Sequence, residues 1–435
     1  MIQRFQNSHS SQNIWSRRFS IIGLIALLAF SSVARAQLSA KTKLPIPNPE
    51  KVGFSSERLR RIHDTIQRHI TENRISGAIT LLARRGRIVH FEPHGLMNIE
   101  AKKPMRKDAL FVLASMTKPV TGVAILMLIE EGKIHLRDPV SKFIPEFKEM
   151  KVAAQNDGEP QVRVIAAERE ITILDLLTHT SGLGSGGVGM RQGPEMPWPV
   201  AQEETLARYV PRWAAVKLDF QPGTRWGYSP HAGIDVLARV VELASHQPFE
   251  EFLQRRIFEP LGMKDTFLVL PEDRRQRLAS IYEVSDRGLT KANYEVIPFA
   301  RTYFSGAIGL VSTAADYFQF AQMLLGGGQW NGNRLLSPRA VELYSSNHVG
   351  EKFEGQLGQP KGMGFGLTVA VVEDSARAGT FRSNRSYGWG GSYGTYFWVD
   401  PRHQLVAVLM IHTSTSVIGM IQRDFETAVM QALIK

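Results

Sequence analysis

Gly394-Thr395-Tyr396-Phe397-Trp398-Val399, then Asp400-Pro401-Arg402-His403, then Leu405-Val406-Ala407-Val408-Leu409-Met410-Ile411 close a chain of 435 residues. Two runs rich in β-branched and aromatic residues around a polar turn with proline read as a β-hairpin. A second hairpin stands near the other end. Ala78-Ile79-Thr80-Leu81-Leu82-Ala83 and Ile88-Val89-His90-Phe91 flank Arg84-Arg85-Gly86-Arg87, with glycine at the turn.

Helical spacing brackets both hairpins. Ser55 and Ser56 can cap a helix in which Leu59, Ile62, Ile66 and Ile70 recur, ending near Asn73. Ile421, Phe425, Val429 and Leu433 share one face of a terminal helix from about Ile418 to Ile434. The middle carries further helix signals: Val120 to Glu131 closed by Gly132, Leu174 to Leu177, Ala232 to Leu243, and Phe249 to Ile257. Its largest loops are 181–200 and, further on, 345–385. Strands near both ends with helices between them predict an α/β (α+β) protein. One antiparallel sheet, built from both chain ends and flanked by helices, forms an α/β lobe over about 55–110 and 300–435. A mostly helical lobe covers about 111–299, and residues 37–54, with Pro45, Pro47 and Pro49, read as an extended lead-in. A site is expected at the seam, where pockets are common.

Composition narrows the class. With 43% hydrophobic and 21% charged residues the chain is neither collagen-like, coiled-coil nor wholly disordered, and no fixed-period repeat suggests a solenoid or propeller. Cysteine is absent, which excludes disulfides, thiolate metal sites and a cysteine nucleophile. Of the net charge of +11, four units (Arg4, Arg17, Arg18, Arg35) fall in the first 36 residues, and no basic run interleaves with aromatics, so nucleic acid is not an expected partner. Those first residues read as an export signal: Arg17-Arg18, a 12-residue apolar run from Phe19 to Phe30, and Ala34-Arg35-Ala36 as a cleavage site. A spanning helix needs about 20 apolar residues, so no stable membrane anchor is expected. A mature chain from Gln37 (signal 1–36, domain 55–435), periplasmic or secreted, is the expectation.

Ser115-Met116-Thr117-Lys118 is the one S-x-x-K in the sequence. At i and i+3 on a helix, hydroxyl and amine share a face, and a desolvated lysine there can take the serine proton. Ser115 precedes Pro119-Val120, where a buried helix starts and backbone N–H groups meet the reacting oxygen. Phe220 to Pro230 reads as a turn leading to a helix, with Tyr228 placed as an acid/base phenol. Trp389-Gly390-Gly391-Ser392 precedes a strand. Its small residues admit substrate close to the backbone, and the N–H groups of Ser115 and Ser392 can form an oxyanion hole, with Trp389, Gly390 and Gly391 lining the substrate.

These segments together resemble the serine β-lactamase and penicillin-binding-protein superfamily. Phe111 to Thr121, Leu176 to Leu183, Phe220 to Tyr228, Gly306 to Asp316 and Trp389 to Pro401 follow its motifs in order, over about residues 51–435. The resemblance implies a β-lactamase/transpeptidase-like fold with Ser115 as acylated nucleophile, Lys118 as its activator and Tyr228 as proton shuttle. Two departures stand out. Tyr228-Ser229-Pro230 replaces the family's usual Tyr-x-Asn, and Trp389-Gly390-Gly391 replaces Lys-Thr-Gly, losing the cation that would hold a carboxylate. This combination is similar to the class C-like, family VIII carboxylesterases. An ester or amide substrate and no cofactor are implied. A β-lactamase or D-amino-acid peptidase is the alternative enzyme, and an inactive penicillin-recognising module the non-enzymatic one.

Other signals carry blander readings. Gly390-Gly391-Ser392-Tyr393-Gly394 matches G-x-S-x-G, but that elbow needs a helix after the serine and a strand follows here. His179 is expected to order its own turn, Asp316 to cap or anchor a helix, and the glycines of 181–189 to form a mobile rim of the cleft. His231 has no partner at metal-ligand spacing, so no metal site is expected.

Overall fold

The computed structural model describes residues 48–154, 161–197, 200–201, 203–286, 288–292 and 302–435. The expected export signal and the lead-in through residue 47 lie outside these residues. From Asn48 the lead-in is packed rather than extended. Pro49–Val52 form a 3-10 turn capped by Asn48, and Phe54 is buried and bridges to Leu433. The aromatic ring gains more by completing an apolar layer than an extended chain could offer.

The sheet joins the two ends of the chain. Its strands are β1 (Gly77–Arg84), β2 (Arg87–Asn98), β3 (Lys103–Pro104), β4 (Met363–Phe365), β5 (Ala370–Val372), β6 (Tyr387–Gly390), β7 (Tyr396–Asp400) and β8 (Leu405–Ile411), in the order β4-β5-β6-β7-β8-β1-β2-β3. Every pairing is antiparallel. The predicted hairpins are β1-β2 and β7-β8, and the ends of the chain meet where Leu81 faces Val408.

Side chains alternate between two apolar layers, as the two-residue period of a strand requires. Ala78, Leu82, Trp398, Leu405 and Leu409 face outward onto helix α1 (Ser56–Thr71), through Leu59, Ile62 and Ile66, and onto the terminal helix α5 (Thr415–Met430), through Ile421, Phe425 and Val429. Ser55 caps α1, accepting from the Arg58 amide. Ile79, Leu81, Phe397, Val406 and Val408 face inward, toward α2 (Lys118–Glu130) and α4 (Ala314–Leu325). Helix α2 is buried from Lys118 to Leu128, as an all-round apolar sequence dictates. Beyond it packs α3 (Ala232–Ser245).

Two loop readings need correction. Residues 345–385 hold β4, β5 and the short helix Ser375–Ala378, which extend the sheet beyond β6. Strands of three residues, with Gly364 inside β4 and Gly366 just after it, show too little periodicity to read. Most glycines of 181–189 are packed rather than forming a rim of the cleft, Gly186 alone being exposed. A Cβ on Gly182 would meet the Phe220 carbonyl at 2.5 Å, and Asp219 accepts from the amide and hydroxyl of Ser185 and the amide of Met190. Among the described helices none is long and apolar enough to cross a membrane.

Candidate active site

Ser115 sits in a 3-10 turn, Ala114–Thr117, that runs directly into α2. Ala114 holds φ at +46°, a left-handed conformation costly for a residue with a Cβ. Many anchors hold the bend. The Leu113 amide donates to the Leu310 carbonyl, the Leu113 carbonyl accepts from Thr395 Oγ1, and Tyr317 donates to the Met116 carbonyl. Thr117 Oγ1 accepts from the Leu310 amide and Thr121 donates to the Gly306 carbonyl, so the 306–310 segment is fastened to the serine turn.

Lys118 is fully buried one turn away. Its Nζ lies 3.1 Å from Ser115 Oγ, 2.8 Å from the Pro230 carbonyl and 3.0 Å from the Ala307 carbonyl. Two N–H groups go to carbonyls, and the remaining tetrahedral position of the nitrogen faces the serine. The Tyr228 hydroxyl lies 2.8 Å from the same Ser115 Oγ. Two side chains, Lys118 from the start of α2 and Tyr228 from the 220–230 loop, thus converge on the Ser115 oxygen. Pro230, in the place of the expected asparagine, contributes its carbonyl to Lys118. Ser229 points away, its buried hydroxyl accepting from the Gly233 amide at the start of α3.

The loop carrying Tyr228 is laid along the 179–182 segment. Amides of Asp219, Gly223 and Gly227 donate to the carbonyls of Gly182, Thr180 and His179. His179 follows the capped helix Ile173–Leu177 in a left-handed conformation, φ +56°, and its Nδ1 accepts from the Ser229 amide at 3.3 Å. It therefore orders the tyrosine loop rather than its own turn, a contact fifty residues away in sequence that local pattern cannot reveal. Burial, with the Lys118 charge, pushes its imidazole well below the usual histidine range. It stays neutral. Asp235, in the first turn of α3, is a further residue that the motifs did not single out. Its carboxylate accepts from Tyr303, Ser305 and the Ala307 amide, steadying the carbonyl that meets Lys118. An acid between apolar Ile234 and Val236 was its only signal.

Trp389 closes the other side. Its ring lies 5.8 Å from that of Tyr228 and 5.3 Å from that of Phe365. A Cβ on Gly391 would meet the Leu113 carbonyl at 2.3 Å, so glycine is needed there for β6 to approach the serine turn. Gly391 and Gly394 then form a tight turn, the Gly394 amide donating to Gly391, with Ser392 exposed between strands. Strand follows, not the helix that a G-x-S-x-G elbow needs.

Ser115, Tyr228, Trp389, Gly390, Gly391 and Ser392 line a cleft of about 720 Å³. It continues past Met363 and Ala370 to the terminal helix, where Gln422, Arg423 and Glu426 face it. Phe381 and Leu357, 68% and 58% exposed, form an apolar lip. Parts of the 345–385 segment, from Leu357 to Arg382, line the cleft. No described residue of 181–200 lines the cleft. Asp316 is held at the N-terminal turn of α4, below the Thr313 cap, and accepts from the Asp265 amide.

With the serine, lysine and tyrosine in place, the beta-lactamase family profile matches residues 62–428 of the chain. The chain belongs to the beta-lactamase family. Protein Rv1367c of Mycobacterium tuberculosis is 36% identical over 351 residues, 78% of this chain and 86% of that one. Esterase EstB of Burkholderia gladioli is 30% identical over 383 residues, 81% of this chain and 90% of that one. Among solved structures, EstCE1, described as a hydrolase with promiscuous acyltransferase activity, superposes with a TM-score of 0.71 at 28% identity, covering 86% of this chain and 99% of that one. This is a beta-lactamase-fold hydrolase with esterases among its relatives.

Proposed function

We propose that the protein cleaves carboxylic esters through an acyl-enzyme on Ser115. The observation that carries this reading is the approach of both Lys118 Nζ and Tyr228 Oη to Ser115 Oγ, at 3.1 and 2.8 Å. As Ser115 Oγ bonds to the ester carbonyl carbon, Lys118, once it has given its own proton to solvent, takes the serine proton on the nitrogen position that faces it. The carbonyl oxygen becomes an oxyanion against the amides of Ser115 and Ser392. The carbon–alkoxide bond then breaks and the leaving oxygen takes its proton from Tyr228, which is reprotonated from Lys118. Water repeats the sequence on the acyl-enzyme, giving up a proton through Tyr228, and releases the carboxylic acid and Ser115.

Trp389 supports an ester over a β-lactam, since it gives an apolar wall where a lysine would hold a carboxylate. A peptidase or β-lactamase reading draws support from Arg423 in the same cleft. Export to the periplasm or exterior is proposed on Arg17-Arg18, the apolar run and Ala34-Arg35-Ala36, and predicts a mature N-terminus near Gln37. The deciding experiment assays p-nitrophenyl butyrate, nitrocefin and a D-alanyl peptide with wild type and Ser115→Ala. Ester turnover and fluorophosphonate labelling, both lost in Ser115→Ala, are expected. Labelling that persists on Ser392, or no turnover of any of the three, overturns the proposal.

A further inference from the structure

The outer face of the sheet carries a second cluster, four strands from Trp389, or about 19 Å at roughly 4.8 Å per strand. His90, Glu92 and His94 lie at alternate positions of β2, opposite Leu82, Thr80 and Ala78 of β1, on the side covered by α1. His63 of α1 reaches down to them. Its Nδ1 is 2.7 Å from Glu92 Oε1, and its ring centre is 5.4 Å from that of His94. Ser56, Arg60, His63, Asp64 and Glu92 line a surface depression of about 350 Å³ that opens the cluster to solvent.

We propose that His63, Glu92 and His94 form a binding site for a divalent transition-metal ion, with Zn²⁺ the best match. One donor atom from each lies within 4.8 Å of the others. Donors around a tetrahedral ion at ~2.1 Å sit roughly 3.4 Å apart. The His63–Glu92 and His94–Glu92 separations, 2.7 and 4.0 Å, bracket that value, and His63, half exposed on its helix, is free to adjust.

The second observation is His94 itself, only 3% exposed. Its Nδ1 is buried without a hydrogen-bond partner among the described residues, and it faces Glu92 Oε1 at 4.0 Å, too far for a hydrogen bond. Buried ring nitrogens are seldom left unpaired, because desolvation is then uncompensated. Its Nε2 meets Thr80 Oγ1 at 2.8 Å, and the same hydroxyl meets His90 Nε2 at 2.7 Å. When Thr80 donates to His90 it accepts from His94 Nε2–H, which leaves the His94 Nδ1 lone pair aimed at a carboxylate. A cation between them resolves that repulsion, and Thr80 fixes the ring as an outer-shell partner does in metal sites. On binding, the proton between His63 Nδ1 and Glu92 passes to solvent and the ion takes its place. Two imidazoles and a carboxylate suit Zn²⁺ and leave a position for water. The ion would clamp α1 to β2. This departs from the sequence expectation of no metal, which followed His231 and passed over His90-Phe91-Glu92-Pro93-His94, an H-x-x-x-H carried on a strand.

The test is calorimetric titration of the untagged, metal-stripped full chain with Zn²⁺, with Co²⁺ absorption as a report on coordination. One equivalent binding with Kd of ~10 μM or tighter is expected. His94 is buried and its replacement can unfold the chain, so the deciding variants are His63→Ala and Glu92→Gln, whose side chains are partly exposed. Each should weaken Zn²⁺ at least ~10-fold and lose the Co²⁺ bands, with circular dichroism unchanged. Binding weaker than ~100 μM in wild type, or unaltered in both variants, overturns the proposal.

Discussion

The phenol ring of Tyr228 rests against the imidazole of His179, ring centres 4.8 Å apart, and that imidazole also accepts the backbone N–H of Ser229, the next residue. One neutral, buried side chain thus fixes both the ring and the backbone of the tyrosine. Glycine would suit the His179 backbone conformation better, since φ is +56°. The imidazole is what that strained position holds in place.

His179 is a positioning residue, and its variants should show it. His179→Ala is expected to lower kcat by ~10 to 10² with KM little changed, because a nearby group held loosely loses its alignment. Asparagine tolerates the left-handed conformation and can accept from Ser229, so His179→Asn should recover part of the loss. Full activity in His179→Ala shows that Tyr228 is held without it.

Tyr228→Phe separates packing from chemistry. Phenylalanine keeps the ring against His179 and Trp389 but removes the oxygen 2.8 Å from Ser115. A loss of roughly 10² to 10⁴ in kcat is expected, the range for a general acid/base, with the melting temperature nearly constant. Near-normal turnover refutes the proton-shuttle role.

Asp235 gives a prediction in pH. Burial pushes its carboxyl up to about 6, against three hydrogen bonds and the Lys118 charge, from 3.8 for an unhindered carboxyl. The folded state then binds the proton more tightly than the unfolded chain. Its contribution to stability is full below about pH 4 and is lost as pH rises through about 6, by roughly 3 kcal/mol at most. Buried histidines act in the opposite sense: burial lowers His231 and His412 to about 4, so their share is full above 6.5 and is lost as pH falls through about 4. The difference between wild type and Asp235→Asn isolates the aspartate. Denaturant midpoints measured from pH 4 to 6 should show the variant losing less stability, or gaining more, as pH rises. Parallel curves contradict this account.

Both hairpins, helix α1 and the antiparallel sheet were legible because each rests on local periodicity and capping. Ser115 and Lys118 were legible for the same reason, three residues apart at a helix start. Tyr228 stood out through resemblance to a family motif. The roles of His179 and Asp235 were not legible, since each acts through a residue more than forty positions away, and neither were β4 and β5, too short to show a period. Arg382 and Arg385, three positions apart just upstream of Trp389, are indistinguishable as cations in the sequence. Tertiary contacts separate them: Arg385 is 76% exposed beside Glu342 at 3.8 Å, whereas Arg382 is buried in the cleft wall.

Selectivity between esters and β-lactams turns on that buried arginine. Arg382 Nε lies 3.3 Å from Glu426 Oε1, and its Nη1 donates to the Tyr396 hydroxyl at 3.0 Å. Glu426 also accepts from Thr380 Oγ1, so the pair is locked into the wall beside β7 and the guanidinium is already neutralised. It does not replace the cation lost where Trp389 stands. Each missing contact to a carboxylate costs about one to three kcal/mol of transition-state binding. A short-chain p-nitrophenyl ester needs neither the lysine cation that Trp389 replaces nor the asparagine amide that Pro230 replaces, so its kcat/KM should exceed that of nitrocefin by at least ~30-fold, the lower bound for two such contacts. Glu426→Gln keeps the shape of the wall but removes the counter-charge, and should narrow that ratio by raising nitrocefin turnover. Arg423, exposed at the cleft mouth and without an ion-pair partner among the described residues, is the competing cation. Nitrocefin turnover equal to ester turnover in wild type, lost in Arg423→Ala, would show that the carboxylate site has moved to the terminal helix and that Trp389 does not set the selectivity.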